Sequence, residues 1–203
     1  ILPFEKKWFS DRGVQQVKGI PHPLMVTYKD HLGDIPVKPF GSWEKKLKIL
    51  LLPGSRKFEV EGLLPEFIAT TEELRKTHPV EVHLVKVAHL PEGYYRMYER
   101  KVDVVHESHD LVKAMKECHF ALAASGTVTL STGLFELPTI VAYKASLLNE
   151  FIFHNFIRYK GAISLTNIIH GKMIFPELTQ GEANSKRFLR VIRSWMENEK
   201  TYN

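Results

Sequence analysis

The chain has 203 residues, 44% of them apolar and 25% charged, which is enough for one large core and excludes a disordered or fibrous protein. Its formal charge of +5 and pI near 9.2 come from Lys and Arg spread along the whole length. There is no polybasic tract or RNA-binding aromatic signature, so no nucleic acid is expected as a partner. A single cysteine, Cys118, excludes an internal disulfide framework and fits a reducing compartment, with the thiol in the core.

The chain opens on Ile1-Leu2-Pro3-Phe4-Glu5, without Met, in what reads as a strand-to-helix transition. It is therefore expected to be the second part of a longer protein. No stretch reaches transmembrane length, and the N-terminus does not read as a signal peptide. Residues 1–40 carry turn residues throughout, among them Gly13, Gly19, Pro21, Pro23, Gly33 and Pro36, and read as a connecting segment. From Leu47 strands and helices alternate. Strands are predicted at Lys48–Leu52, Val82–Val87, Val102–Val105, Phe120–Ala124, Thr139–Tyr143 and Ala162–Ser164. Helices are predicted at Val60–His78, Gly93–Arg100, Asp110–Glu117, Thr127–Phe135, Leu147–Arg158 and Ser185–Glu199. Apolar strands alternating with helices imply an α/β fold, a Rossmann-like doubly wound parallel sheet. The division is residues 41–180 as a ligand-binding domain after the connecting segment, with residues 181–203 as a C-terminal helix.

Ligands of such sheets sit outside the carboxyl ends of the strands, which directs attention to two turns. The apolar run ending at Leu52 empties into Pro53-Gly54-Ser55-Arg56, and helix signals begin at Glu59. A glycine-containing turn before a helix can present backbone N–H groups to an anion, and an arginine adds a planar, permanently charged fork. An ordinary βα turn with an exposed Arg is the plain alternative. The second turn is Ala124-Ser125-Gly126-Thr127, where Ser125 and Thr127 can cap a helix, donate to phosphate, or do both. Two anion-competent turns on one sheet, without a Walker-type glycine-lysine motif, point to a diphosphate. Breaking a sugar–diphosphate bond leaves growing negative charge that backbone amides, a helix N-terminus and Arg56 can stabilise. His83, His89, His106 and His109 lack metal-ligand spacing and read as surface or loop residues; no metal and no cofactor are expected, and a metal-independent reaction is favoured.

These residues, in this order, resemble the lipid-A-disaccharide synthase family. The matching blocks are Leu51 to Arg56, Ala124 to Thr127, Ile1 to Glu5, Val141-Ala142-Tyr143-Lys144, Ile163-Ser164-Leu165 with Asn167-Ile168, and Pro176-Glu177-Leu178 with Gln180. The resemblance covers essentially the whole chain. It implies one half of a two-domain GT-B glycosyltransferase of bacterial lipid A biosynthesis, a hexosyltransferase. The implied substrates are UDP-2,3-diacylglucosamine as donor and 2,3-diacylglucosamine 1-phosphate as acceptor, joined by a β-1,6 link with release of UDP. It further implies a cytoplasmic protein, peripheral on the inner-membrane surface, with the catalytic base in an upstream domain. Homo-oligomer formation is left open.

By the same resemblance Gly54, Ser55, Arg56, Ser125, Gly126 and Thr127 hold the diphosphate, and Asn167 and Gln180 line the donor side. Turn stabilisation is the plain alternative for both amides. His22, between Pro21 and Pro23, resembles the family's Gly-His-Pro block with Pro21 in place of glycine. One departure stands out: the family carries a glutamate four residues past the threonine, suited to the ribose hydroxyls, and here that position is Ser131. Ser131 could bond one ribose hydroxyl. Glu136, five residues on, sits about 140° away around a helix and cannot replace the carboxylate.

The aromatic stretch Leu147–Arg158 reads as core, or as an acyl groove with Arg158 and Lys160 at headgroup level; Tyr94-Tyr95-Arg96-Met97-Tyr98 is read the same way. Two other functions remain: a different UDP-sugar enzyme (a 2-epimerase or peptidoglycan-precursor transferase), or a non-catalytic UDP-binding fragment.

Overall fold

A computed structural model describes residues 2, 5–14, 16–144 and 161–202. Its centre is a six-stranded sheet in the order β3-β2-β1-β4-β5-β6, with every neighbouring pair parallel. The strands are β1 (Leu47–Leu52), β2 (Val80–Val85), β3 (Val104–His106), β4 (Phe120–Ala124), β5 (Thr139–Tyr143) and β6 (Glu177–Thr179). This is the doubly wound, Rossmann-like order, whose direction reverses between β1 and β4. The register Ile49↔Phe120 to Leu52↔Ala123 brings the ends of β1 and β4 level. The turns after Leu52 and Ala124 therefore open side by side.

The central strands are apolar on both faces because helices cover both. Leu47, Ile49 and Leu51 point into one core with Leu63, Phe67 and Phe188. Leu50 and Leu52 point into the other with Met115, Cys118 and Phe135. Each leucine so buried contributes about 2 kcal/mol relative to exposure. Cys118 is fully buried, and burial pushes its thiol up to about 12, so it is an inert core residue.

The helices are α1 (Glu5–Ser10), α2 (Pro23–Tyr28), α3 (Lys57–Arg75), α4 (Gly93–Glu99), α5 (Leu111–Glu117), α6 (Thr127–Leu134), α7 (Leu165–His170), α8 (Ser185–Glu197) and α9 (Glu199–Tyr202). Helix α8 lays Phe188, Ile192 and Trp195 into the core that α3 covers, with Phe67 and Phe188 in edge contact at 5.3 Å. Among the described residues no helix is long and apolar enough to cross a membrane.

Residues 1–40 include two short helices, α1 and α2, and Tyr28 at the end of α2 is buried against Phe135 at 5.2 Å. Several expectations are corrected. Ala162–Ser164 is not a strand: Ser164 caps α7 by accepting the Asn167 N–H, and Glu177–Thr179 pairs with β5 instead. Strand β2 starts at Val80, where it pairs with Leu47 of β1, and Glu81 within it is held by Lys46 and Lys48. Glu136 lies beyond α6 in a left-handed turn (φ 52°), so its place around the helix does not arise. His83 and His106 are buried rather than on the surface or in loops. They stack across β2 and β3, with His83 Nδ1 and His106 Nε2 2.9 Å apart. His22 Nδ1 accepts the Leu24 N–H and caps α2. The stretch Leu147–Arg158 lies outside the described residues. Tyr95 is core, its hydroxyl accepting the Val87 N–H.

Candidate functional site

The turns after β1 and β4 enclose a cleft of about 280 Å³. Gly54, Ser55, Arg56, Ser125, Gly126 and Thr127 all line it. Leu52, Val85, Val87, Leu111 and Val128 give it an apolar wall. A polar rim over an apolar wall suits a ligand with a charged and a flat part.

On one side, β4 ends at Ala124 and the Ser125 N–H donates to the Ala142 carbonyl, fixing the turn to β5. Ser125 Oγ donates to the Ile163 carbonyl at 3.2 Å. Gly126 precedes the helix with extended backbone, and its carbonyl accepts from the N–H and hydroxyl of Thr129. Gly126 and Thr127 are exposed. The first N–H groups of a helix have no intrahelical acceptor. Among the described residues no acceptor is recorded for those of Gly126, Thr127 and Val128. They form an open, positively polarised seat for an anion.

The other side differs. Glu59, one turn into α3 and 5% exposed, turns its carboxylate back into the Pro53–Arg56 turn. Glu59 Oε2 accepts the N–H groups of Ser55 (2.9 Å) and Arg56 (3.1 Å), and Oε1 accepts Arg56 Nη1 (2.8 Å). Gly54 makes room for this. At φ +106°, an added Cβ would stand 2.3 Å from Glu59 Oε2 and 2.7 Å from its Cβ. What this turn offers a ligand is the Arg56 guanidinium, whose side chain is 68% exposed. His89 Nε2 holds the Ser55 carbonyl at 2.6 Å from the loop after β2.

The remaining expected residues do not line the cleft. Ser131 is buried in α6, its Oγ 3.2 Å from the Tyr28 hydroxyl. Asn167 is 1% exposed and its amide is fully used. Its Oδ1 accepts the N–H groups of Ile174 and Phe175, while Nδ2 donates to the Phe175 carbonyl and Glu177 Oε1. Glu177 in turn accepts the N–H groups of Ile163 and Ser164, so this network supports the carbonyl to which Ser125 bonds. Gln180 follows β6 in a left-handed conformation (φ 50°) at the carboxyl edge of the sheet. Glu59 is the residue that sequence reading missed. A glutamate three positions after an N-cap is the available signal, and it reads as helix capping rather than as part of a cleft. Among the described residues, no group of three or more His, Cys, Asp or Glu could hold a metal ion.

The described fold resembles a Listeria monocytogenes crystal structure ascribed to a UDP-N-acetylglucosamine 2-epimerase. The TM-score is 0.51 at 12% identity, covering 92% of this chain and 42% of that one, a likeness of fold alone. The sequence is 36% identical over 200 residues to the lipid-A-disaccharide synthase of Syntrophus aciditrophicus, covering 95% of this chain and 51% of the relative. It is 33% identical to that of Nitrosococcus oceani, covering 92% and 49%, and 30% identical to that of Persephonella marina, covering 100% and 56%. The chain thus spans about half the length of the curated relatives it matches. Residues 1–203 match the family described as lipid-A-disaccharide synthetase from end to end, and the chain belongs to that family.

Proposed function

We propose that this chain is the donor-binding half of a GT-B glycosyltransferase of lipid A biosynthesis. The donor is UDP-2,3-diacylglucosamine, the acceptor is 2,3-diacylglucosamine 1-phosphate, and the products are the β-1,6 disaccharide and UDP. The observation that carries this reading is the pairing, in one cleft, of the open N–H groups at the start of α6 with the Arg56 guanidinium.

As the sugar–oxygen bond breaks, charge collects on the leaving diphosphate. The N–H groups of Gly126, Thr127 and Val128 and the Arg56 fork are in place before the reaction and strengthen their hold as that charge grows. The apolar wall then takes the uridine. Gln180, at the carboxyl edge of β6, is assigned to the sugar side of an extended donor. Residues 41–180 form the UDP-sugar unit, with residues 1–40 connecting it to an upstream half and residues 181–203 closing its core. The base that activates the acceptor hydroxyl belongs to that upstream half, and the whole enzyme works in the cytoplasm on the inner-membrane surface.

Residues 1–203 alone should bind UDP and turn over neither substrate. Joined to the upstream half, the protein should transfer from diacylated UDP-glucosamine and leave UDP-N-acetylglucosamine unused. Transfer from the latter instead would contradict the assignment.

A further inference from the structure

A carboxylate buried against the floor of a cleft that is to receive a diphosphate needs a reason. Charge repulsion opposes it, and burial is tolerated only with full pairing. Glu59 has that pairing: the N–H groups of Ser55 and Arg56 on one oxygen and Arg56 Nη1 on the other. The turn is shaped around it, since Gly54 leaves space that any side chain would take from the carboxylate.

Two consequences follow. The Ser55 and Arg56 amides are already satisfied by an internal anion, so these two are not available to phosphate. The guanidinium, otherwise a long and mobile side chain, is tethered at Nη1, and among the described residues its other donors have no partner. A planar fork held at one corner loses less conformational freedom when it meets phosphate oxygens.

We infer that Glu59 is a positioning residue that presents Arg56 to the diphosphate and withholds the Ser55 and Arg56 amides from phosphate. This rests on the proposed UDP site. It acts through Arg56 and is not itself a ligand contact.

The test is a double-mutant cycle in UDP affinity, measured by calorimetry on the 203-residue chain for wild type, Glu59→Gln, Arg56→Ala and the double variant. Glutamine keeps an oxygen for the turn amides but turns its NH2 toward the guanidinium. Glu59→Gln should weaken UDP binding about tenfold in the wild-type background and have no effect in the Arg56→Ala background. Should Glu59→Gln fail to fold, Glu59→Asp enters the same cycle, because the shorter carboxylate cannot span both the turn amides and Nη1. An equal loss in both backgrounds, or tighter UDP binding from Glu59→Gln, overturns the positioning role. If Arg56→Ala itself leaves UDP affinity unchanged, the proposed diphosphate site fails, whatever Glu59 does.

Discussion

The hydroxyl of Tyr28 and Oγ of Ser131, 103 positions apart in the chain, lie 3.2 Å from each other in the buried seam between α2 and α6. This contact joins the segment before β1 to the helix whose N-terminus is the proposed anion seat. Lys38 makes a second attachment, donating to the Met115 carbonyl near the end of α5, and the Tyr202 hydroxyl donates to the Lys38 carbonyl. The segment before β1 is therefore fastened to the sheet domain at separated points.

Ser131→Ala should cost about 1 kcal/mol of stability, because the Tyr28 hydroxyl loses its recorded partner in a buried place. UDP affinity should not change, since Ser131 faces Tyr28 and does not line the cleft. Chemical denaturation together with UDP titration checks both halves. A loss of UDP affinity without a loss of stability would return Ser131 to the ribose role implied by its position in the family pattern.

Gly54→Ala should destabilise the fold by roughly 2–3 kcal/mol, combining left-handed strain with displacement of the Glu59 carboxylate. Urea unfolding reads the loss. Stability equal to wild type would show that the turn can relax around a methyl group.

How legible this was depends on how local the cause is. Strands β4 and β5 have their predicted bounds because Phe120–Ala124 and Thr139–Tyr143 are short apolar runs between turns and helices. Strand β6 was missed because Glu-Leu-Thr has no apolar pattern, and the charge of Glu177 is consumed by the N–H groups of Ile163 and Ser164 across a loop. The two turns of the cleft could be read from their strand-to-helix setting. The filling of one by Glu59 could not, because a capping glutamate and a cleft carboxylate are the same residue at the same spacing. Asn167 illustrates the same limit: an amide among loop residues looks available to a ligand until its hydrogen-bond partners are known.

Acid should weaken the fold through His119. Its Nδ1 accepts the Lys48 N–H, which requires a neutral ring, and burial, with Lys38 and Lys48 nearby, lowers its pKa from 6.5 to about 4. The unfolded chain therefore binds the extra proton first, and stability is fully present above pH 6.5 and declines as pH falls toward 4. His119→Asn keeps an acceptor at the Nδ1 position without a titrating ring. Urea midpoints should fall less steeply over this window in that variant than in wild type. Equal slopes would remove His119 from the acid response.

The most direct test of the cleft is a titration of UDP into the isotope-labelled chain, followed through backbone amide resonances. UDP should shift the amides of Gly126, Thr127 and Val128 together with the Arg56 side chain, and uridine without phosphate should leave the Arg56 side chain unmoved. Saturable UDP binding with those resonances unchanged, or with shifts centred elsewhere on the chain, would contradict a diphosphate seat between the β1 and β4 turns.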